Sequence, residues 1–267
     1  MVHQRLKHAN NANTPLIGSW AAIPSPATAE LLAGLGYDFV ALDAEHTPMS
    51  YETMENMLRA VDAAPYETET IVRVPDDDPT TLKRTLDLDP TGILVPMVET
   101  ADQAAAIVEA TQYPPGGRRG LGITRASEYG LSINNHIKSV EETLVRHVQL
   151  ESVPAIENAT EIAAVDGIDG VFVGPVDLSM SMDCFGEWED EAFLDAVTHA
   201  VEAAHNAGIA IGTLATTADQ RAARIEWGVD YLAASVDLTH LADGAAEALD
   251  HCLALSDREN KIESTDR

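Results

Sequence analysis

Gly170-Val-Phe-Val-Gly-Pro-Val-Asp-Leu-Ser179 decides how the rest of this 267-residue chain is read. Gly170 to Val173 is apolar and rich in β-branched residues, as a strand buried on both faces should be. Gly174-Pro175 then ends the strand, because proline lacks the ladder donor and glycine permits a sharp turn. Asp177 stands just past that turn, where enzymes with parallel sheets place their ligands. The same residue also reads as a helix N-cap ahead of Leu178. A matching run, His147-Val-Gln-Leu-Glu151, ends in an acid before Pro154, which marks a helix start.

Outward from these two runs the chain alternates strand and helix. Strands are expected at 16–20, 37–42, 70–74, 92–96, 144–150, 170–173, 209–214 and 231–234. Helices are expected at 25–35, 50–61, 78–88, 101–111, 155–165, 189–207, 217–227 and 238–255, with Ser50 and Thr100 as caps. Eight alternations favour a (β/α)8 TIM barrel over an open doubly wound sheet. No GxGxxG follows the first strand and no P-loop is present, so nucleotide-binding folds lose support. Residues 1–14 read as a mobile leader, 15–255 as the barrel and 256–267 as a polar tail. The stretch 113–135 is too long for a routine barrel loop and suits a functional lid.

Composition narrows the partners. With 44 acids against 16 bases the formal charge is −28, a field that repels nucleic acid and anionic membranes. The acids are spread along the whole chain and only four lysines occur (Lys7, Lys83, Lys138, Lys261). That pattern fits adaptation to high salt, where screening relieves self-repulsion. Cys184 and Cys252 are too few and too isolated for a disulfide framework or a thiolate metal site. With no apolar run of spanning length and no secretory h-region, a cytoplasmic location follows.

In a barrel, the polar residues at the strand ends face one mouth: Trp20, Asp43, His46, Arg73, Gln149, Glu151 and Asp177. Each has a plainer explanation, as a cap, a surface ion pair or a satisfied core histidine. Together they suit chemistry. Glu151 and Asp177 fit a hard divalent cation completed by water or substrate oxygens. His46 fits a general base, with Asp43 orienting its ring. Arg73 offers a planar fork for an oxyanion or carboxylate. A metal, a base and a cation at one spot suit proton abstraction next to a carbonyl.

Leu42-Asp-Ala-Glu-His46, Val72-Arg-Val74, Leu94-Val-Pro-Met-Val-Glu99, Tyr113-Pro-Pro-Gly-Gly-Arg-Arg-Gly120, Val148-Gln-Leu-Glu151 and Gly170-Val-Phe-Val-Gly-Pro-Val-Asp-Leu178 resemble the HpcH/HpaI aldolase family, in order and with compatible spacing. The resemblance implies a class II aldolase that reversibly cleaves a 4-hydroxy-2-oxo acid to pyruvate and an aldehyde through a metal-stabilised enolate. It implies Mg²⁺ or Mn²⁺, with Co²⁺ in the same range, on Glu151 and Asp177. Arg73 and Gln149 would stabilise the enolate. Backbone around Gly174, Pro175, Val176 and Asp177 would hold the pyruvate carboxylate, and His46 with Asp43 would move the proton. Trp20 and Leu214 would line the pocket, and Asp87 would approach a neighbour's site in a hexamer whose last helix is exchanged. Ala44 departs from the glycine usual in the family at that position. A Schiff-base route is excluded by the lysine positions. A CoA-dependent lyase of the citramalyl- or malyl-CoA type, and a non-catalytic 2-oxoacid-binding protein, stay open as alternatives.

Overall fold

The computed structural model describes residues 4–265, the last ten of them as backbone alone. Eight parallel strands close into a barrel in chain order. They are β1 (Leu16–Ala21), β2 (Phe39–Asp43), β3 (Glu69–Arg73), β4 (Gly92–Val95), β5 (Val145–Leu150), β6 (Gly170–Val173), β7 (Ala210–Leu214) and β8 (Tyr231–Val236). The expected (β/α)8 architecture is therefore observed. Successive strand residues point to opposite faces. Val40, Leu42, Val72, Val95, Val148, Val171 and Ile211 meet the surrounding helices. Phe39, Ala41, Ile71, Leu94, Phe172 and Tyr231 fill the interior. Both faces are apolar because both are covered, which is why these strands read as continuous runs rather than alternating ones.

The expected caps are in place. Ser50 accepts from the Thr53 N–H at 3.1 Å and Thr100 from the Gln103 N–H at 3.1 Å. Three expectations change. The helix expected over 155–165 is two short ones, Val153–Glu157 and Ala159–Ala163, broken at Asn158, whose amide donates to the Glu99 carbonyl at 2.8 Å. The stretch 113–135 contains a 3-10 segment, Arg125–Gly130, and the start of a helix, Ile133–Thr143. The last helix runs Asp237–Thr265, so its backbone continues through most of the expected tail; no proline or glycine lies beyond Gly244 to stop it.

The leader is also corrected over its described residues. Leu6–Asn11 forms a 3-10 segment with Leu6 and Ala9 fully buried in the interior cluster. The Glu69 carboxylate accepts from the Arg5 and Leu6 N–H groups at 2.7 and 2.8 Å. Lys7 reaches the Leu144 carbonyl at 2.6 Å and Asp169 at 2.8 Å. The barrel would otherwise be open at its lower end, and this turn stoppers it. Met1 to His3 lie outside the described residues.

His147 points into the closed interior, 4.9 Å from the Tyr231 ring. Neither of its ring nitrogens has a hydrogen-bond partner. Burial, assisted by the nearby Lys7 charge, lowers its pKa to about 3. The unfolded chain therefore takes up a proton near pH 6.5 that the folded chain refuses until about pH 3. Stability falls as the pH drops through that window, by about 2 kcal/mol at pH 5. His147→Phe should flatten this acid limb in a denaturant series at pH 4.5–7. An unchanged slope would show that other groups set it.

Candidate active site

The β2–β3 register pairs Asp43 with Arg73 at the strand ends. The Arg73 fork closes on Asp43, with Nε to Oδ1 at 3.0 Å and Nη2 to Oδ2 at 2.7 Å. Trp20 Nε1 donates to Asp43 Oδ2 at 3.3 Å, and the guanidinium lies 4.8 Å from the Trp20 ring centroid. Burial alone would raise the Asp43 pKa. The Arg73 bonds and charge outweigh it, and the carboxyl is held below its usual range. The remaining arm of Arg73, Nη1, lies 2.9 Å from Glu45 Oε2, an ion pair without hydrogen-bond alignment. Burial raises the Glu45 pKa, against the Arg73 charge.

Across the mouth, Glu151 directly follows β5 and is buried. Its Oε1 accepts from the Met97 N–H at 2.7 Å and its Oε2 from Gln149 Nε2 at 2.5 Å. Burial, with added repulsion from Asp177 and Glu45, pushes its pKa up to about 7. Gly174 has to be glycine here: a Cβ at that position would sit 2.5 Å from Glu151 Oε2. Asp177 lies in the first turn of a helix, Pro175–Ser181, whose N-cap is Gly174. The capping reading of Asp177 is thereby set aside, and its carboxylate lies at the exposed edge of the mouth.

A cavity of about 260 Å³ is lined by Trp20, His46, Arg73, Gln149, Phe172, Gly174, Pro175, Val176, Asp177 and Leu214. Nine of these ten were expected from the sequence; Phe172, an inward strand residue, was not. Glu45 was also missed, although it stands inside the quoted Asp-Ala-Glu-His run. One expectation is corrected. Asp43 does not orient the His46 ring: its oxygens are taken by Arg73, Trp20 and the Glu45 and His46 N–H groups. The His46 ring is instead 67% exposed, with Nε2 3.7 Å from Glu45 Oε2. Within this chain Asp87 lies outside the cavity, at the end of the helix Pro79–Leu86, and accepts from Arg119 Nη2 at 3.2 Å.

The donor set fits a hard divalent cation. Glu151 and Asp177 would supply carboxylate oxygens, and no cluster of three or more His, Cys, Asp or Glu suited to a metal occurs among the described residues. Further ligands would come from water or substrate, as carboxylate-poor sites require. A carboxyl raised chiefly by burial, with two neighbouring negative charges adding to it, is the situation a cation relieves. Gln149 Oε1 is buried without a partner, beside the same carboxylate.

Comparisons with known proteins place the chain in a family. The family described as HpcH/HpaI aldolase/citrate lyase matches residues 16–244. A hydroxypyruvate/pyruvate aldolase from Delftia acidovorans is 39% identical over 233 residues, 86% of each chain. A 4-hydroxy-2-oxo-heptane-1,7-dioate aldolase from Shigella sonnei is 39% identical over 245 residues, 91% of this chain and 92% of that one. A crystal structure of an HpcH/HpaI aldolase/citrate lyase family protein from Burkholderia cenocepacia superposes with a TM-score of 0.89 at 31% identity, covering 94% of this chain and 99% of that one.

Proposed function

Because the chain belongs to the HpcH/HpaI aldolase/citrate lyase family, we propose that it is a divalent-metal-dependent aldolase cleaving 4-hydroxy-2-oxo acids reversibly to pyruvate and an aldehyde. The observation that carries this reading is a single small cavity bordered by Arg73, Gln149, His46 and Asp177, with Glu151 buried beside it. A bound Mg²⁺ or Mn²⁺, or Co²⁺ in their place, would supply Lewis-acid polarisation of the 2-oxo group. The other roles fall to the chain itself. Arg73, held rigid by Asp43 and Trp20, stabilises negative charge arising on the enolate oxygen. The first-turn N–H groups of Val176 and Asp177, which helix geometry leaves without intrahelical partners, hold the pyruvate carboxylate. His46, exposed at the mouth, exchanges the proton. Trp20 and Leu214 border the aldehyde, and Asp87 serves a neighbouring subunit's site.

The test is a screen of 4-hydroxy-2-oxo acids, with released pyruvate coupled to NADH oxidation. Cleavage should fall to background in EDTA and return with Mg²⁺ or Mn²⁺. Turnover indifferent to chelation would overturn the metal reading. Pyruvate release confined to acyl-CoA substrates would move the assignment to a CoA-dependent lyase.

A hexamer with exchanged last helices is the proposed assembly. Leu238, Leu241, Leu249 and Leu253 are exposed along that helix, at spacings that share one face. Leu31 and Ile225 are exposed on the helices Pro26–Gly34 and Ala218–Glu226, and Leu35 at the C-cap of the first. Apolar surface on both sides fits a contact between copies. At a charge of −28, that contact depends on screening. The Debye length grows from about 3 Å at 1 M salt to about 30 Å at 0.01 M. Light scattering should therefore find hexamers in molar salt that dissociate and lose activity on dilution; an active monomer would refute the assembly. A cytoplasmic setting is proposed with it. Among the described residues no helix is long and apolar enough to cross a membrane.

A further inference from the structure

The Met97 N–H that holds Glu151 comes from an unusual backbone. Met97 has φ 54°, in the left-handed region, which a non-glycine residue enters at a cost. Its side chain is half exposed, so apolar burial does not account for the conformation. Gln103, on the neighbouring helix Ala101–Thr111, does. Its Nε2 donates to the Met97 carbonyl at 3.2 Å and its Oε1 accepts from the Glu99 N–H at 3.0 Å. The same Nε2 also donates to Asp77 Oδ2 at 3.0 Å, tying in the loop after β3. On the far side, the Val98 N–H donates to the Gln149 carbonyl at 3.3 Å and Ser152 Oγ to Glu99 Oε1 at 2.7 Å. One amide thus clamps both ends of the turn 97–99. Held this way, the turn directs the Met97 N–H at Glu151 Oε1.

We infer that Gln103 is a positioning residue that sets the divalent-cation affinity of Glu151 by holding Met97 in its left-handed turn. The inference rests on the reading of Glu151 as a metal ligand. The Met97 and Gln149 bonds take one lone pair on each Glu151 oxygen, which fixes the carboxylate plane and leaves the remaining lone pairs for a cation. Loss of the Gln103 clamp lets residue 97 relax to an ordinary φ. The N–H then turns away, and the carboxylate is free to rotate out of its binding geometry. Groups that orient metal ligands typically contribute 10- to 100-fold in affinity.

The test measures free Mn²⁺ by electron paramagnetic resonance during titration of the intact oligomer. Gln103→Leu, which keeps the size but neither hydrogen bond, should weaken Mn²⁺ binding by about 10- to 100-fold. Its kcat should return to near the parent value at saturating Mn²⁺. Met97→Gly, which removes the penalty of the left-handed backbone, should recover on the order of tenfold of that loss when combined with Gln103→Leu. A general folding defect would not be repaired by a glycine in a turn. Gln103→Glu keeps the acceptor for Glu99 but not the donor for the Met97 carbonyl, and should also bind weakly. Parent-like affinity in Gln103→Leu or Gln103→Glu, or no recovery in the double variant, overturns the inference while leaving the ligand assignment standing. Mn²⁺ binding by the parent that survives Glu151→Gln, or no binding by the parent at all, overturns both.

Discussion

Glu151→Gln is expected to reduce retro-aldol turnover by at least about 10³-fold, because Lewis-acid stabilisation of a developing charge contributes several kcal/mol. The amide keeps the shape of the side chain and can still accept from the Met97 N–H. It removes the charge that would draw a cation to a buried position. The variant should also fold at least as well as the parent without metal, since the carboxyl it replaces is buried beside Asp177 and Glu45 and raised to about 7. That combination, higher thermal stability with lost activity, distinguishes a ligand from a structural acid. Asp177→Asn should lose turnover to a similar degree, with a smaller stability change because Asp177 lies at the exposed rim. Residual turnover in either variant above a hundredth of the parent value would remove that acid from the ligand set.

The second large effect separates His46 from Arg73, and the structure changes what it should look like. Loss of a general base costs about 10²–10⁴ in rate. His46→Ala should slow deuterium exchange at the pyruvate methyl group by that range. It should keep most oxaloacetate decarboxylation, which reaches the same enolate without removing a proton. Arg73→Lys should lose both, because a point charge on a flexible stem reproduces neither the planar fork nor its hold on Asp43. Asp43 supplies the sharper comparison. If it served His46, Asp43→Asn would behave like His46→Ala. Its two bonds to Arg73 at 3.0 and 2.7 Å predict instead the Arg73→Lys pattern, with exchange and decarboxylation falling together. Asp43→Asn that loses exchange alone would return Asp43 to the histidine.

The barrel was legible because most of its strands carry apolar runs closed by Gly, Pro or an acid, at ends that fall where a parallel barrel needs them. The cavity was legible for the same reason: residues at strand C-termini converge whatever the helices do. What stayed hidden depends on side-chain direction or on backbone conformation. Asp43 is three residues before His46, a spacing that suggested a pair. At the end of a strand, however, its carboxylate is shared between the register partner on β3 and the backbone N–H groups of its own loop, which leaves the His46 ring without it. Met97 carries its function on a backbone N–H, which residue type does not advertise. Leu6 looked like part of a polar leader because a 3-10 turn needs only a residue or two to seal a barrel. No periodicity develops over so short a length.

That stopper has a consequence for how the chain comes to be assembled. Its contacts reach Asp38 and Glu69 on one side of the barrel and Leu144, Asp169 and Gly208 on the other. None of these anchors has emerged from a ribosome when residues 4–14 are made. The two sides approach each other only once the intervening strands have paired. Residues made before all of their anchors are thus among the last to find their places, with sequence separations as large as 198 residues between Asn10 and Gly208. Such long-range closure is slow in loop-entropy terms and contributes little to a folding nucleus. Contacts that form late act mainly on the unfolding rate. The amino-terminal turn therefore works as a latch on lifetime: deleting it should hasten opening of a finished barrel far more than it delays the making of one.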